Sequence, residues 1–130
     1  MINHYILDDE HHVIPADLMT WARFMNDLNR RIVKQTDLRF HHVSTVFLGL
    51  DHRFFGAGLP VVFETMTFTR ERKVREIFGR LMSFKSEADD IDFGFNRYCS
   101  WDDAATGHDA IVGRIERAEC KAMEKTSARP

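Results

Sequence analysis

The sequence predicts an α+β domain: an antiparallel sheet, with central strands at about 42–50 and 61–68, carrying two or three packed helices. Three observations point there. Residues 43–50 and 61–68 (VSTVFLGL and VVFETMTF) are β-branched and aromatic runs on either side of a bend that holds Gly56, Gly58 and Pro60. Trp101, Ala104, Ala105, His108, Ile111, Val112 and Ile115 recur at i, i+3, i+4 and i+7, the stripe of an amphipathic helix. The strands come in runs with helices set between them rather than as regular βαβ units, which argues against a doubly wound fold.

The elements follow in chain order. Tyr5–Leu7 and Val13–Ile14 read as two short strands around the acidic turn Asp8–Glu10, and Pro15 closes the second because it donates no ladder hydrogen bond. Asp17 is placed to cap a helix from Leu18, whose apolar side is Leu18, Trp21, Ala22, Met25 and Leu28 and which ends near Asn29–Arg30. Residues 31–38 alternate weakly, as a strand would. In 42–50, Val43, Thr45, Phe47 and Gly49 share one face and Ser44, Val46, Leu48 and Leu50 the other; both are largely apolar, which predicts a central strand covered on both sides. Residues 51–60 make a wide turn, and 61–68 returns as the antiparallel partner.

Residues 69–85 change character. Arg70, Arg72, Lys73, Arg75, Arg80 and Lys85 stand against Glu71 and Glu76, while Val74, Ile77, Phe78, Leu81 and Met82 keep helical spacing. A basic amphipathic helix is expected, followed by the acidic stretch 87–92. Phe93–Cys99 reads as a last strand. Ser100 then caps the final helix, with Asp103 three residues on in the manner of a capping box. The apolar pattern fades past Arg117, so residues 1–125 form one domain with a basic and acidic insert at about 69–96, and 126–130 a frayed tail.

At 130 residues and a formal charge of −2, the chain is long enough to bury roughly two-thirds of its unfolded surface without a metal or disulfide. No whole-chain basic field favours nucleic acid. No apolar run approaches the roughly 20 residues of a membrane helix, and the start MINHYILDDE, short and soon acidic, does not read as a signal peptide. Cys99 and Cys120 lack CxxC spacing, so a reduced cytoplasmic setting is the simpler reading.

Several blocks carry a resemblance: Val43–Phe54 (VSTVFLGLDHRF), Gly58–Pro60, Val62–Phe68 (VFETMTF) and Arg97–His108 (RYCSWDDAATGH), with Trp21 and Arg30–Arg31 similar in the N-terminal part. Together they resemble a family of short proteins encoded by tailed bacteriophages and prophages, in which the patterns VSTVFLGLDHxF, LFETMxF and RYxTWxEAxxGH recur in that order. The likeness covers most of the chain outside 69–96, where many members have a shorter connection. It brings no established activity. It implies a small phage accessory protein in the cytoplasm of an infected or lysogenic bacterium, of the kind that acts on host machinery or host defence.

The candidate chemistry is sparse. His52, beside Asp51 and Arg53, reads either as an imidazole held by a carboxylate or as a rim residue next to an Asp51 that caps the turn. Glu64 lies inside a strand, where a buried carboxylate needs a cationic partner; Arg97 and His108 are the candidates. His108 sits on the apolar stripe of the last helix and reads as a hydrogen-bonded core residue before a pocket residue. A metal held by His41, His42, Asp51, His52 and His108 is disfavoured, because strand alternation sends His41 and His42 to opposite faces. His11 and His12 fall in a turn and are expected to be solvated. No phosphate loop or nucleophile elbow is present, and no cofactor is expected.

Three functions follow, in order. The first is a non-enzymatic accessory protein that binds a host protein and inhibits host defence, with Arg70, Arg72, Lys73 and Arg75 as the contact surface. The second is a small-molecule binder, such as a sponge for nucleotide signals, with a pocket walled by Asp51, His52, Glu64, Arg97, Trp101 and His108. The third is a small hydrolase using His52 with Glu64 or Asp51. A homo-oligomer is compatible with each.

Overall fold

The computed structural model describes residues 4–53, 58–69 and 96–127, with side chains as far as Glu124. The predicted basic helix, including Arg70, Arg72, Lys73 and Arg75, lies outside the described residues. What is described is one α+β domain with antiparallel sheets and a few packed helices.

The N-terminal strands β1 (Tyr5–Leu7) and β2 (Val13–Pro15) form a two-stranded antiparallel ribbon. Its turn is organised by Asp8, whose carboxylate accepts the backbone N–H groups of Glu10 and His12 at 2.9 and 2.8 Å. Helix α1 (Leu18–Asn26) begins where expected: Asp17 stays extended and its side chain accepts the Thr20 N–H at 2.8 Å. It ends earlier than the spacing predicts. Asp27 leaves the helical region at ψ 88°, its N–H turning back to the Phe24 carbonyl at 3.0 Å, and a separate turn α2 (Leu28–Arg31) follows.

The main sheet has the order β3–β4–β5–β6, antiparallel throughout. Its strands are β3 (Ile32–Asp37), β4 (His41–Phe47), β5 (Phe63–Thr69) and β6 (Arg97–Tyr98). β4 and β5 pair along their whole length, from His41 opposite Thr69 to Phe47 opposite Phe63. β4 is therefore central, as predicted. Its two faces differ, however: Val43, Thr45 and Phe47 are fully buried, while Ser44 and Val46 are half-buried. The difference comes from helix α3 (Trp101–Ser127), which crosses the sheet on the first face and touches all four strands.

Ser100 caps α3 through the Asp103 N–H at 3.1 Å. The helix does not fade at Arg117 but continues through Ser127, into the predicted tail. Its buried stripe runs Ala104, His108, Ile111, Ile115 and then Glu119, so a carboxylate occupies the position where the apolar pattern stops.

Two apolar clusters hold the layers together. Leu7, Phe24, Phe47, Val62, Phe63 and Ala104 join the ribbon, α1, the sheet and the start of α3. Val43, Ile111 and Ile115 form the second cluster further along the helix. Phe24 meets Phe47 edge-on at 5.7 Å and Phe47 meets Phe63 at 5.3 Å. Each fully buried phenylalanine contributes about 1.5–3 kcal/mol by removal from water. Gly49 lets the ribbon and α1 approach: at φ 76° its carbonyl accepts both the Tyr5 N–H and the Trp21 indole N–H, and a Cβ there would lie 2.6 Å from the Met25 sulfur.

Candidate functional site

Between the two apolar clusters lies a polar layer. Along β4 the order is Phe47, Thr45, Val43, and along α3 it is Ala104, His108, Ile111, so Thr45 and His108 meet at the same level. His108 is wholly buried. Its Nδ1 lies 2.8 Å from the Thr45 hydroxyl and its Nε2 lies 2.8 Å from the Thr36 hydroxyl. Thr45 continues to Thr65 at 2.6 Å, and Thr65 donates to the Tyr98 phenol oxygen at 3.3 Å. Five side chains from β3, β4, β5, β6 and α3 thus form one chain of hydrogen bonds.

For a neutral ring with Thr65 donating to Tyr98, donor counting places the protons. Each threonine hydroxyl has one hydrogen to give. Thr65 gives its own to Tyr98, so it accepts from Thr45. Thr45 in turn accepts from His108 Nδ1–H, which leaves Nε2 to accept from Thr36. The neutral ring is then the Nδ1–H tautomer. Burial pushes its pKa below the ordinary imidazole value; the Asp109 carboxylate opposes this, and Lys34 and His42 add to it.

Gly107 and His108 act as a pair. A Cβ at Gly107 would come within 2.2 Å of the Tyr98 ring, so the missing side chain is what admits the phenol to the layer. This gives a structural reason for the Arg-Tyr and Gly-His ends of the RYCSWDDAATGH block.

A second polar device lies one helical turn beyond the Ile115 cluster. Glu119, buried, accepts the backbone N–H of Arg39 at 3.1 Å and of Phe40 at 3.0 Å, and pairs with His41 Nδ1 at 2.6 Å. It ties the far half of α3 to the β3–β4 turn. Sequence reasoning missed it, because a glutamate after an apolar stripe reads as the solvated end of a helix.

The remaining candidate residues do not converge on His108. Asp51 caps the turn after β4, accepting the N–H groups of Arg53 at 2.9 Å and Val61 at 3.0 Å and the Arg53 side chain at 2.5 Å. Burial alone would raise its pKa; the Arg53 and Val61 N–H groups more than offset that, and its carboxyl is held below the usual value. His52 is exposed beside it, joined to Val61 through its backbone N–H. Glu64 faces away from α3, as strand alternation requires once Thr65 faces it, and pairs with Arg97 Nε at 3.4 Å. Of the two partners considered for Glu64, Arg97 is the one that meets it. Trp101 packs edge-on against Phe63 at 6.4 Å and carries the His11 ring stacked at 3.6 Å. His11, at φ 66°, is thus an exposed residue in aromatic contact rather than merely solvated.

The six residues of the predicted pocket therefore divide three ways: one ion pair on the outer sheet face, one capped turn at the rim with His52, and the core side with His108 and Trp101. Burial and the carboxylates of Asp103 and Asp51 push the Cys99 thiol up, against thiolate formation; both cysteines are free. Among the described residues no group of three or more His, Cys, Asp or Glu is placed to hold a metal ion, and no helix is long and apolar enough to cross a membrane. His41 and His42 turn to opposite faces as expected, His41 to Glu119 and His42 to Asp37. Protein-family models, curated proteins and solved structures give no match to this chain.

Proposed function

We propose that this protein acts by binding a protein partner, as a small phage-encoded accessory protein whose target is a host protein of an infected or lysogenic bacterium; interference with host defence is the role that such a target suggests. One observation supports the reading above the others. Among the described residues, four groups that could do chemistry are engaged by the fold itself: His108 through both ring nitrogens, Asp51 by its turn, Glu64 by Arg97 and Glu119 by the β3–β4 turn. A general base needs a lone pair within reach of a substrate, and the buried imidazole offers none. Large apolar side chains are exposed instead, among them Leu18, Met19, Phe40, Met66 and Met123.

The nucleotide-sponge reading needed Glu64 and His108 in one pocket with His52, and the hydrolase reading needed Asp51 or Glu64 available beside His52. Glu64 and His108 lie on opposite faces of the sheet, which weighs against the first; Asp51 is held by the Arg53 and Val61 N–H groups and Glu64 by Arg97, which weighs against the second.

Affinity capture from a bacterial host lysate tests the proposal. The wild-type chain should retain one partner in stoichiometric amount. Neutralising Arg72, Lys73 and Arg75 to glutamine should weaken that retention at unchanged thermal stability if the basic segment is the contact surface. Thermal shift against a nucleotide panel is the counter-test. A clear rise in Tm with any nucleotide, together with no retained protein, would overturn the proposal.

A further inference from the structure

The β3–β4 turn is held in a way its sequence does not account for. Asp37 pairs with His42, and the Leu38 N–H donates to the His41 carbonyl at 2.7 Å, so the loop is two residues long: Arg39 and Phe40. Two-residue hairpin loops favour Asn-Gly or Asp-Gly with positive φ. Arg39 and Phe40 are neither, and both have negative φ, since the one non-glycine residue at positive φ among those described is His11. The turn is instead secured from outside. The Glu119 carboxylate, only 7% exposed, takes both loop N–H groups and the His41 ring.

The side chains so presented face solvent. Phe40 is 48% exposed, and the Arg39 guanidinium lies over its ring at 5.5 Å. Among the described residues that guanidinium enters no ion pair. Met123, 40% exposed, follows Glu119 by one helical turn and so stands on the same side of α3. Arginine and aromatic side chains are the residues that dominate protein–protein hot spots.

We propose that the Arg39–Phe40 tip, flanked by Met123, is the docking knob for the partner, and that it fits an apolar pocket rimmed by carboxylates on a protein surface. The proposal rests on the partner-binding reading above. A guanidinium with no ion pair among the described residues calls for an acidic rim, and the phenyl and thioether call for an apolar floor. A nucleic acid fits less well: one guanidinium in a loop that follows Asp37 and is held by the Glu119 carboxylate makes a poor phosphate track. Rigidity is the advantage of the clamp, because a pre-set tip loses less conformational entropy on docking.

Site-specific photocrosslinking in a bacterial host tests it, with p-benzoylphenylalanine placed in the full chain at position 40, at position 66 on the outer sheet face, and at exposed position 102 as control. The expected result is a protein adduct from position 40 that maps to a peptide carrying Asp or Glu beside apolar residues. Arg39→Ser should lower that adduct roughly tenfold or more, as for a hot-spot truncation. Arg39→Ser with Phe40→Ser should leave Tm unchanged; a fall would mean that the tip residues serve the fold, and would overturn the proposal. Adducts from position 66 alone would overturn the tip while leaving partner binding standing. Nucleic acid captured at position 40 would overturn the tip as a protein site. No protein adduct from any position would overturn both readings.

Discussion

Replacing Glu119 by alanine should destabilise the domain by about 3 kcal/mol, as expected for removing one partner of a buried pair. The carboxylate accepts two backbone N–H groups and faces the His41 ring. Hydrogen bonds to charged groups are worth about 1.5–3 kcal/mol each, so three would sum to more than this. Arg39 and Phe40 stand at an exposed turn, however, and water can take over their N–H groups. The uncompensated part is the partly buried His41 imidazole and the loss of the tie between α3 and the hairpin. For a chain of this size, about 3 kcal/mol corresponds to a fall in Tm of about 10 °C. Glu119→Gln keeps one oxygen acceptor and should fall between. Glu116→Ala, exposed on the same helix, should stay within about 0.5 kcal/mol. Urea unfolding of the four proteins reads the values directly. A Glu119→Ala variant as stable as wild type would refute the view that this carboxylate holds the turn.

Two further predictions come from the same geometry. Gly107→Ala should destabilise by about 1–3 kcal/mol or more, because its Cβ would overlap the Tyr98 ring, whereas Gly113→Ala, with its nearest contact at 3.4 Å from the Arg117 guanidinium, should stabilise by about 0.5–1 kcal/mol through helix propensity; calorimetry of the pair separates sterics from propensity. Stability should also fall with acid. His108 has a folded pKa below the unfolded value of 6.5, so the unfolded chain binds more protons in the interval between them; its contribution is fully present above pH 6.5 and is lost as pH drops toward the folded pKa. The lowered Asp51 adds a second loss, present above its unfolded value of 3.8 and removed as pH falls through its folded pKa. Urea midpoints measured against pH should slope downward below 6.5 in the wild type and lose that part of the slope in His108→Gln.

Much of this architecture could be read from residue patterns, and the parts that could not have physical causes. Strands 41–47 and 63–69 announce themselves because β-branched and aromatic side chains suit a pleated, packed surface. Asp17 and Ser100 mark helix starts because short polar side chains satisfy N–H groups that the helix leaves open. The break at Asp27 was hidden because Leu28 and Met25 keep an apolar spacing across it. The last helix outran its apolar stripe because Glu119 is buried by docking onto a turn that is distant in sequence.

The site divides in the same way. Alternation along β5 already sends Glu64 and Thr65 to opposite faces, and the candidate ion pair with Arg97 was legible for that reason. The hydrogen-bonded layer was not. Thr36, Thr45 and Thr65 read as ordinary strand residues, and nothing local tells that all three point at one imidazole. The one available signal was His108 itself, a polar residue on an otherwise apolar helix stripe, which has to find partners wherever it is buried.

The central claim is that His108 belongs to the fold: neutral, in a single tautomer, with both ring nitrogens occupied by threonine hydroxyls. Imidazole 15N NMR across pH 5 to 8 tests it most directly, with His108→Gln providing the assignment. One ring should show the nitrogen shifts of an Nδ1–H tautomer, unchanged through pH 6.5 for as long as the protein stays folded. A His108 ring that gains its proton near pH 6.5 in the intact fold, or one that exchanges freely between tautomers, would contradict it.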